Sequence, residues 1–423
     1  MINTFDRFRV LLAGPILLGS LLCHSAALAQ SPSSRVDPIE VWYTFAVDSQ
    51  EEAIFLRAVD AFEKAHPDIP VKPTRIPYLQ NLSQFINSSQ AGEAPDVIRL
   101  SDSELGRVGH ISVEGLPLLE DLRVHLTPMQ RSRFDARALA AMRYGNPLYA
   151  IPVSQGCLSL IYNRKLFDQA GVAYPRDDWT TEELLRAARS LTRGDILGMS
   201  VPLKWSYWFV PVLSAFGGAM FDPSGRPTLD SPGSSEAMDW YLDLERVHGV
   251  TVSSTSLEAM STQFLLEKSA MVFDGAWNWN TYANQGLDIG QAVMPVMAET
   301  GQRLAPLASY FGWAVSKQSD AKVDSVRLAL WLTSADVQKE FALSTYMLPT
   351  DRSLARDPEI AADPVLAGYI RQIQHTVQVP TVRGASMVYE QLDVALEMTY
   401  TGEMTAADAL AAADVEMERV LDR

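Results

Sequence analysis

Between Ile39 and Leu100 the sequence alternates between short strand-like runs and longer amphipathic ones, and few folds accept that alternation. Ile39-Glu40-Val41-Trp42-Tyr43 reads as a strand. A helix follows from Gln50 to Ala65, with Phe55, Val59 and Phe62 at i, i+4 and i+7 on one face, and His66-Pro67 ends it. A second strand is expected over Val71–Ile76, a helix over about Leu79–Gln90, and a third strand over Asp96–Leu100. This β-α-β-α-β order implies an α/β fold with a mainly parallel sheet flanked by helices. Ligands of such sheets sit beyond the carboxyl ends of the strands, so the loops after Trp42-Tyr43 and after Leu100 are the first candidate places for a site.

A second block begins after Leu148-Tyr149-Ala150-Ile151-Pro152. Leu158–Tyr162 reads as a strand, and Thr180-Thr181-Glu182-Glu183 opens a helix with a capping-box pattern. Leu197–Val201 is expected as a strand, Trp205–Phe216 as a helix stopped by Gly217-Gly218, and Ala270–Phe273 as a strand running into Trp277. Ser309–Ser316 reads as a further strand. Helices then dominate: Lys322–Thr333, Ala335–Thr345, Ala385–Tyr400 and Thr405–Leu421. The coarse architecture is two α/β lobes, the second helix-rich.

The first thirty residues bear on the compartment. Arg7 and Arg9 precede an apolar run from Val10 to Cys23, and Ala27-Leu28-Ala29 supplies the small-x-small pattern at which a signal peptide is cut. Gly14, Pro15 and Gly19 break that run, which is short for a membrane span. Leu22 before Cys23 fits lipoprotein processing poorly, so cleavage after Ala29 is the better fit. The mature chain would then run from Gln30 to Arg423, 423 − 29 = 394 residues, long enough for two domains, with a polar, flexible lead-in over 30–37. It would keep Cys157 alone, and no intramolecular disulfide. The formal charge is −16, and an acidic surface of this size argues against nucleic acid as a partner.

No familiar catalytic or metal-binding pattern stands out. The six histidines are scattered, with no H-x-x-x-H or H-E-x-x-H, and neither a phosphate loop, G-x-G-x-x-G nor G-x-S-x-G occurs. No catalytic residue, metal or cofactor is expected. The tryptophans are more informative. Trp205-Ser206-Tyr207-Trp208 and Trp277-Asn278-Trp279 are dense clusters, and Trp42-Tyr43 and Trp313 end or interrupt strands. The apolar C–H face of a sugar ring packs flat on an aromatic ring, and its hydroxyls need side chains that donate and accept. Aromatics paired with Asn or Ser suit that chemistry, though each is equally at home in a core.

Seven motifs in order carry a resemblance: Ala61-Phe62-Glu63-Lys64 with Pro67-Asp68-Ile69; Ala91-Gly92-Glu93-Ala94-Pro95-Asp96-Val97; Gly115-Leu116-Pro117-Leu118-Leu119; Tyr149 to Asn163 with Lys165-Leu166-Phe167; Phe216-Gly217-Gly218; Lys268 to Trp277; and Gly312 to Lys317. Over nearly all the mature sequence the chain resembles the extracellular solute-binding proteins of ABC-type sugar importers, the maltose-binding-protein-like family. The resemblance implies the two-lobe periplasmic binding protein fold, each lobe a mainly parallel sheet flanked by helices. It implies an N-lobe of 38–151 plus 308–345 and a C-lobe of 152–307 plus 346–423. It further implies hinge closure over a small carbohydrate (disaccharide, short oligosaccharide or glycoside), a periplasmic, monomeric protein, and permease subunits of an ABC importer as partners.

The same resemblance marks Tyr207 and Trp277 as stacking residues. It puts Asp102 where relatives hold a hydroxyl-binding acid, although an Asp there also suits a helix N-cap. Gln155 comes after the hinge-strand proline and could face the cleft, Trp313 follows the Gly of the inter-lobe strand and could form a wall, and Arg352 could reach the cleft or form an exposed ion pair. With Trp42, Tyr43, Trp205, Trp208 and Asn278 from the clusters, these are the candidate ligand contacts. Maltodextrin binders carry carboxylates where this chain has Gly156 and near Trp205, which puts maltose itself in doubt. The competing readings are the same fold binding a polyamine, which would need several cleft carboxylates, and a secreted glycoside hydrolase, which would need two paired acids.

Overall fold

The computed structural model describes residues 37–222, 224–252, 256–379, 381 and 387–421. The expected signal peptide and nearly all of the lead-in lie outside them. The strands are β1 (Ile39–Tyr43), β2 (Val71–Arg75), β3 (Val97–Ser101), β4 (Ser112–Val113), β5 (Leu116–Pro117), β6 (Ala150–Gly156), β7 (Leu158–Asn163), β8 (Met271–Gly275), β9 (Ile289–Ala292), β10 (Ser309–Val315) and β11 (Leu348–Pro349).

The expected alternation is present. β1 pairs parallel with β2 and with β3, and the helices Gln50–Ala65 and Tyr78–Ala91 connect them. Ser49 caps the first helix through the Glu52 N–H, and Phe55, Val59 and Phe62 are buried along its inner face. Gly92, at φ 75°, closes the second helix in the left-handed conformation that costs glycine little.

Six strands form the first sheet in the order β11-β6-β10-β3-β1-β2. Parallel pairing is confined to β3-β1-β2, because β10 returns antiparallel between β3 and β6 and β11 pairs antiparallel with β6. The second sheet, β8-β7-β9, is antiparallel. Leu197–Val201, expected as a strand, makes only isolated parallel bridges, Leu197 to Ser269 and Ser200 to Val272. Gly198 explains this. Its N–H donates to Thr192 Oγ1 at 2.9 Å, and a Cβ there would lie 2.1 Å from the Ala188 carbonyl oxygen. The segment is pressed onto a helix end and gives up a ladder bond.

The helix Thr181–Leu191 begins with the expected capping box between Thr180 and Glu183, and Ser206–Ala215 ends where Gly217 turns at φ 77°. Met387–Thr401 packs against Ala406–Leu421, and its Asp393 carboxylate accepts the Ser206 N–H at 2.6 Å. That bond anchors the start of Ser206–Ala215. The chain passes from the first sheet to the second within one residue: β6 ends at Gly156, β7 begins at Leu158, and Cys157 between them is fully buried. Burial pushes the Cys157 thiol far above its ordinary pKa, which leaves it unreactive.

Candidate functional site

Two adjoining cavities open at the carboxyl ends of β1 and β3. The larger, about 600 Å³, is lined by Thr44, Phe45 and Ala46 after β1, by Arg99, Ser101, Asp102 and Ser103, by Ser154 to Gly156 of β6, and by Tyr207, Trp277, Ser309, Phe311 and Tyr346. The smaller, about 430 Å³, adds Leu79, Leu82, Glu104, Arg107, Trp205, Thr381 and Tyr389. Tyr78, Asp102, Ser103, Tyr207 and Ser309 line both, so the two form one cleft.

Its local construction follows from the sequence at the end of β3. Ser101 is the N-cap of the helix Asp102–Val108: its hydroxyl accepts the Glu104 N–H, and Glu104 Oε2 accepts the Ser101 N–H at 2.8 Å. Capping therefore falls to Ser101, and Asp102, the first helical residue, faces the cleft with Ser103 N–H donating to it at 3.0 Å. Burial raises the Asp102 pKa to about 7, against the lowering effect of these backbone N–H groups. An acid held near neutrality can either accept or donate to a hydroxyl.

Aromatic rings supply the walls. Tyr207 stands at the junction of the cavities with its hydroxyl 3.2 Å from Ser309 Oγ, and burial drives its pKa far upward, so it stays a neutral donor and acceptor. Trp277 is 43 % exposed and Trp205 38 %, unusual for indoles, and both lie on the cleft. Gln155 lines the cleft and donates its amide to the Pro349 carbonyl at 2.8 Å.

Six expected contacts are not brought to the cleft. Trp42 is buried, with its indole donating to Glu40 at 3.0 Å, and Tyr43 packs on Phe55 and donates to Glu52. Trp208 follows Tyr207 by about 100° of helical turn and points inward, donating to the Phe273 carbonyl at 2.6 Å. Asn278 holds the buried Asp274 carboxylate at 2.9 and 3.2 Å. Trp313 is stacked on Phe55 in the core, centroids 5.4 Å apart. Arg352 lies in a separate groove of about 930 Å³ with Arg133, Asp351 and Arg356, which shares only Gln155 with the cleft lining.

The cleft also holds residues the sequence reading passed over: Phe45, Tyr78, Arg99, Ser309, Phe311, Tyr346 and Tyr389. Two had a visible signal. Tyr78 follows the carboxyl end of β2, where the strand-end rule already pointed, and Arg99 is a lone cation inside the apolar run Val97-Ile98-Arg99-Leu100. Tyr346 caps the helix Ala335–Thr345 at φ 60°, an uncommon conformation for a non-glycine residue that places its ring at the cleft edge.

The family model described as "Bacterial extracellular solute-binding protein" matches residues 46–339. The chain is 23 % identical over 352 residues to the maltotriose-binding protein of Pyrococcus abyssi, covering 81 % of this chain and 73 % of that one. It is 24 % identical over 389 residues to the galactooligosaccharide-binding protein of Bacillus subtilis, covering 89 % and 88 %. Among solved structures, it is similar to the maltose/maltodextrin-binding domain of Bdellovibrio bacteriovorus bound to maltotriose, with TM-score 0.79, 22 % identity and coverage of 91 % and 100 %. The GacH receptor of Streptomyces glaucescens, solved unliganded and with acarbose, superposes with TM-score 0.81 at 24 % identity, covering 91 % and 98 %.

Proposed function

The chain belongs to the bacterial extracellular solute-binding proteins, and from that membership we propose that it binds a short oligosaccharide in its inter-lobe cleft and hands it, unchanged, to an ABC import complex. One observation carries the reading. Trp205, Tyr207 and Trp277 present rings along a mainly apolar cleft into which Asp102, Ser103, Gln155 and Ser309 bring carboxyl, hydroxyl and amide groups. That is the chemistry of a sugar, apolar on its faces and polar around its edge. The continuity of the two cavities through Tyr207 favours a ligand of more than one ring. The relatives described as binding maltotriose and galactooligosaccharides support the same class.

The protein is read as a binder rather than an enzyme. Of the cleft acids Glu51, Asp102 and Glu104, Glu104 is committed to Ser101 and Asn81 and so is not free to act as one of the paired acids that glycoside hydrolysis requires. Asp102 accepts or donates to sugar hydroxyls, Tyr207 and Trp277 stack, Trp205 extends the wall, and Gln155 contributes an amide. The N-lobe is 38–151 plus 308–345 and the C-lobe 152–307 plus 346–423; β1, β2, β3 and β10 share one sheet and β7, β8 and β9 the other, while β6 runs across the first boundary and β11 joins it in the first sheet just past the last. Closure of these lobes presents the loaded form to the permease subunits. The mature protein is monomeric, begins at Gln30 after loss of a signal peptide, and works in the periplasm without a lipid on Cys23.

A thermal-shift screen of residues 30–423 against mono-, di- and trisaccharides, polyols and polyamines tests this. Ligand at 100-fold excess over its dissociation constant adds about 2.7 kcal/mol to the native state. A rise with sugars that are recovered intact is expected. A rise with polyamines alone, or conversion of a sugar to product, would overturn the proposal.

A further inference from the structure

The floor of the larger cavity carries a cation that the protein leaves partly unused. Arg99 projects from β3, is 6 % exposed, and lines the cavity. Its guanidinium carbon lies 4.0 Å from the ring centroid of Phe311 and 4.6 Å from that of Phe45. Nη1 donates to Thr44 Oγ1 at 2.8 Å, whereas Nε is buried with no acceptor. Burial lowers the Arg99 pKa to about 10, which still leaves it charged at neutral pH.

Neighbouring acids do not neutralise it by contact. Glu104 is engaged by Ser101 and Asn81, and Asp102 by the Ser103 N–H. Glu104, and less strongly Glu51 at the cavity wall, act on Arg99 only through space. Among the described residues no carboxylate forms an ion pair with Arg99. A desolvated guanidinium without a carboxylate is costly to a fold and is retained where an anion completes it. The two rings hold the fork in place, so the order needed to receive a planar carboxylate is already present.

Resting on the reading that this cleft takes a sugar, we propose that the preferred ligand is an acidic oligosaccharide, one whose ring carries a uronic-acid carboxylate, and that Arg99 is the residue that selects it. The carboxylate accepts from the guanidinium Nη2, which has no partner among the described residues and is not one of their buried unpaired atoms, while the sugar face packs on the aromatic walls. A neutral sugar can offer hydroxyl oxygens to the same fork but leaves its charge unpaired. The protein's net charge of −16 disfavours anions at its surface, so a preference for acid has to originate in the cleft.

Titration calorimetry with matched trisaccharides decides the matter. Each pair (gluco, galacto and manno) differs only in a C6 hydroxymethyl or carboxylate. In the pairs that bind, the acidic member is expected to bind about tenfold tighter or more, with the preference weakening as salt rises. Arg99→Met is expected to reverse the preference, checked for folding by its unfolding transition. Should that variant not fold, Arg99→Lys, which keeps the charge but loses the fork, is expected to narrow the preference. Neutral members binding as tightly as acidic ones in the wild type would overturn the role of Arg99 and leave the sugar reading standing. Failure of every sugar to bind would overturn both.

Discussion

The indole of Trp277 lies against two glycines: a Cβ on Gly275 would fall 2.2 Å from its Cζ3, and one on Gly156 would fall 3.3 Å from the same atom. The ring can lie there only because β6 and β8 present bare backbone at these points.

Gly275→Ala therefore forces the Trp277 ring to move, whereas Gly156→Ala asks for only a few tenths of an ångström. Gly275 has an ordinary backbone conformation (φ −92°), so alanine fits the chain itself. Gly275→Ala is expected to weaken sugar binding by about 1–2 kcal/mol with the fold retained, and Gly156→Ala by less. Calorimetric affinities equal to wild type in both variants would show that the ring position does not matter to the ligand.

Trp277 and Trp313 should separate binding from stability. Trp277→Ala removes an exposed cleft wall and is expected to cost about 2 kcal/mol of sugar affinity with little change in unfolding. Trp313→Ala opens a hole beside Phe55 and is expected to cost about 3–5 kcal/mol of stability. Denaturant unfolding and ligand titration of the two variants check the contrast.

Asp102 makes a pH-dependent difference whose sign is fixed. Its folded pKa, about 7, stands above the ordinary carboxylate value, so between pH 4 and 7 the folded state holds a proton that the unfolded state has released. Its contribution to stability is thus present at acid pH and lost as pH rises to 7. Asp102→Asn is expected to raise stability on the order of 1 kcal/mol at pH 8 and to change little at pH 4. The same substitution should reduce sugar affinity at pH 8 by about 1.5–3 kcal/mol if ionised Asp102 accepts hydroxyls. Unfolding midpoints and titrations at the two pH values test both halves.

Asn278 supports the site from beneath. Together with Tyr282 and the Gly275 N–H it satisfies the buried Asp274 carboxylate, whose pKa burial raises to about 6. Asn278→Ala is expected to cost about 1–3 kcal/mol of stability, more at pH 8 than at pH 4, because the ionised form loses a donor. Thermal unfolding at both pH values checks it.

Local signals made much of this fold legible. The helix Gln50–Ala65 follows from the spacing of Phe55, Val59 and Phe62, and the start of Thr181–Leu191 from Thr180 and Glu183. The cleft was legible where chemistry and position coincide: Asp102 ends up beyond β3, and Tyr207 and Trp277 lie on the walls. It was not legible where direction depends on partners. Phe311 and Trp313 are two residues apart on one strand, yet one lines the cavity and the other is core, and a register shift between Phe311 and Gly312 breaks the simple alternation. Trp42 and Tyr43 ended a strand as expected, but tertiary partners, Glu40, Glu52 and Phe55, claimed their side chains.

The place of β10 has a consequence for how the molecule is made. This strand, residues 309–315, is wedged between β6 and β3, which precede it by well over a hundred residues. A chain emerging from its N-terminus therefore offers β3 and β6 open edges until residue 315 is out, and the first sheet cannot be completed before then. Late closure of the sheet leaves the nascent polypeptide without a complete first sheet for most of its length.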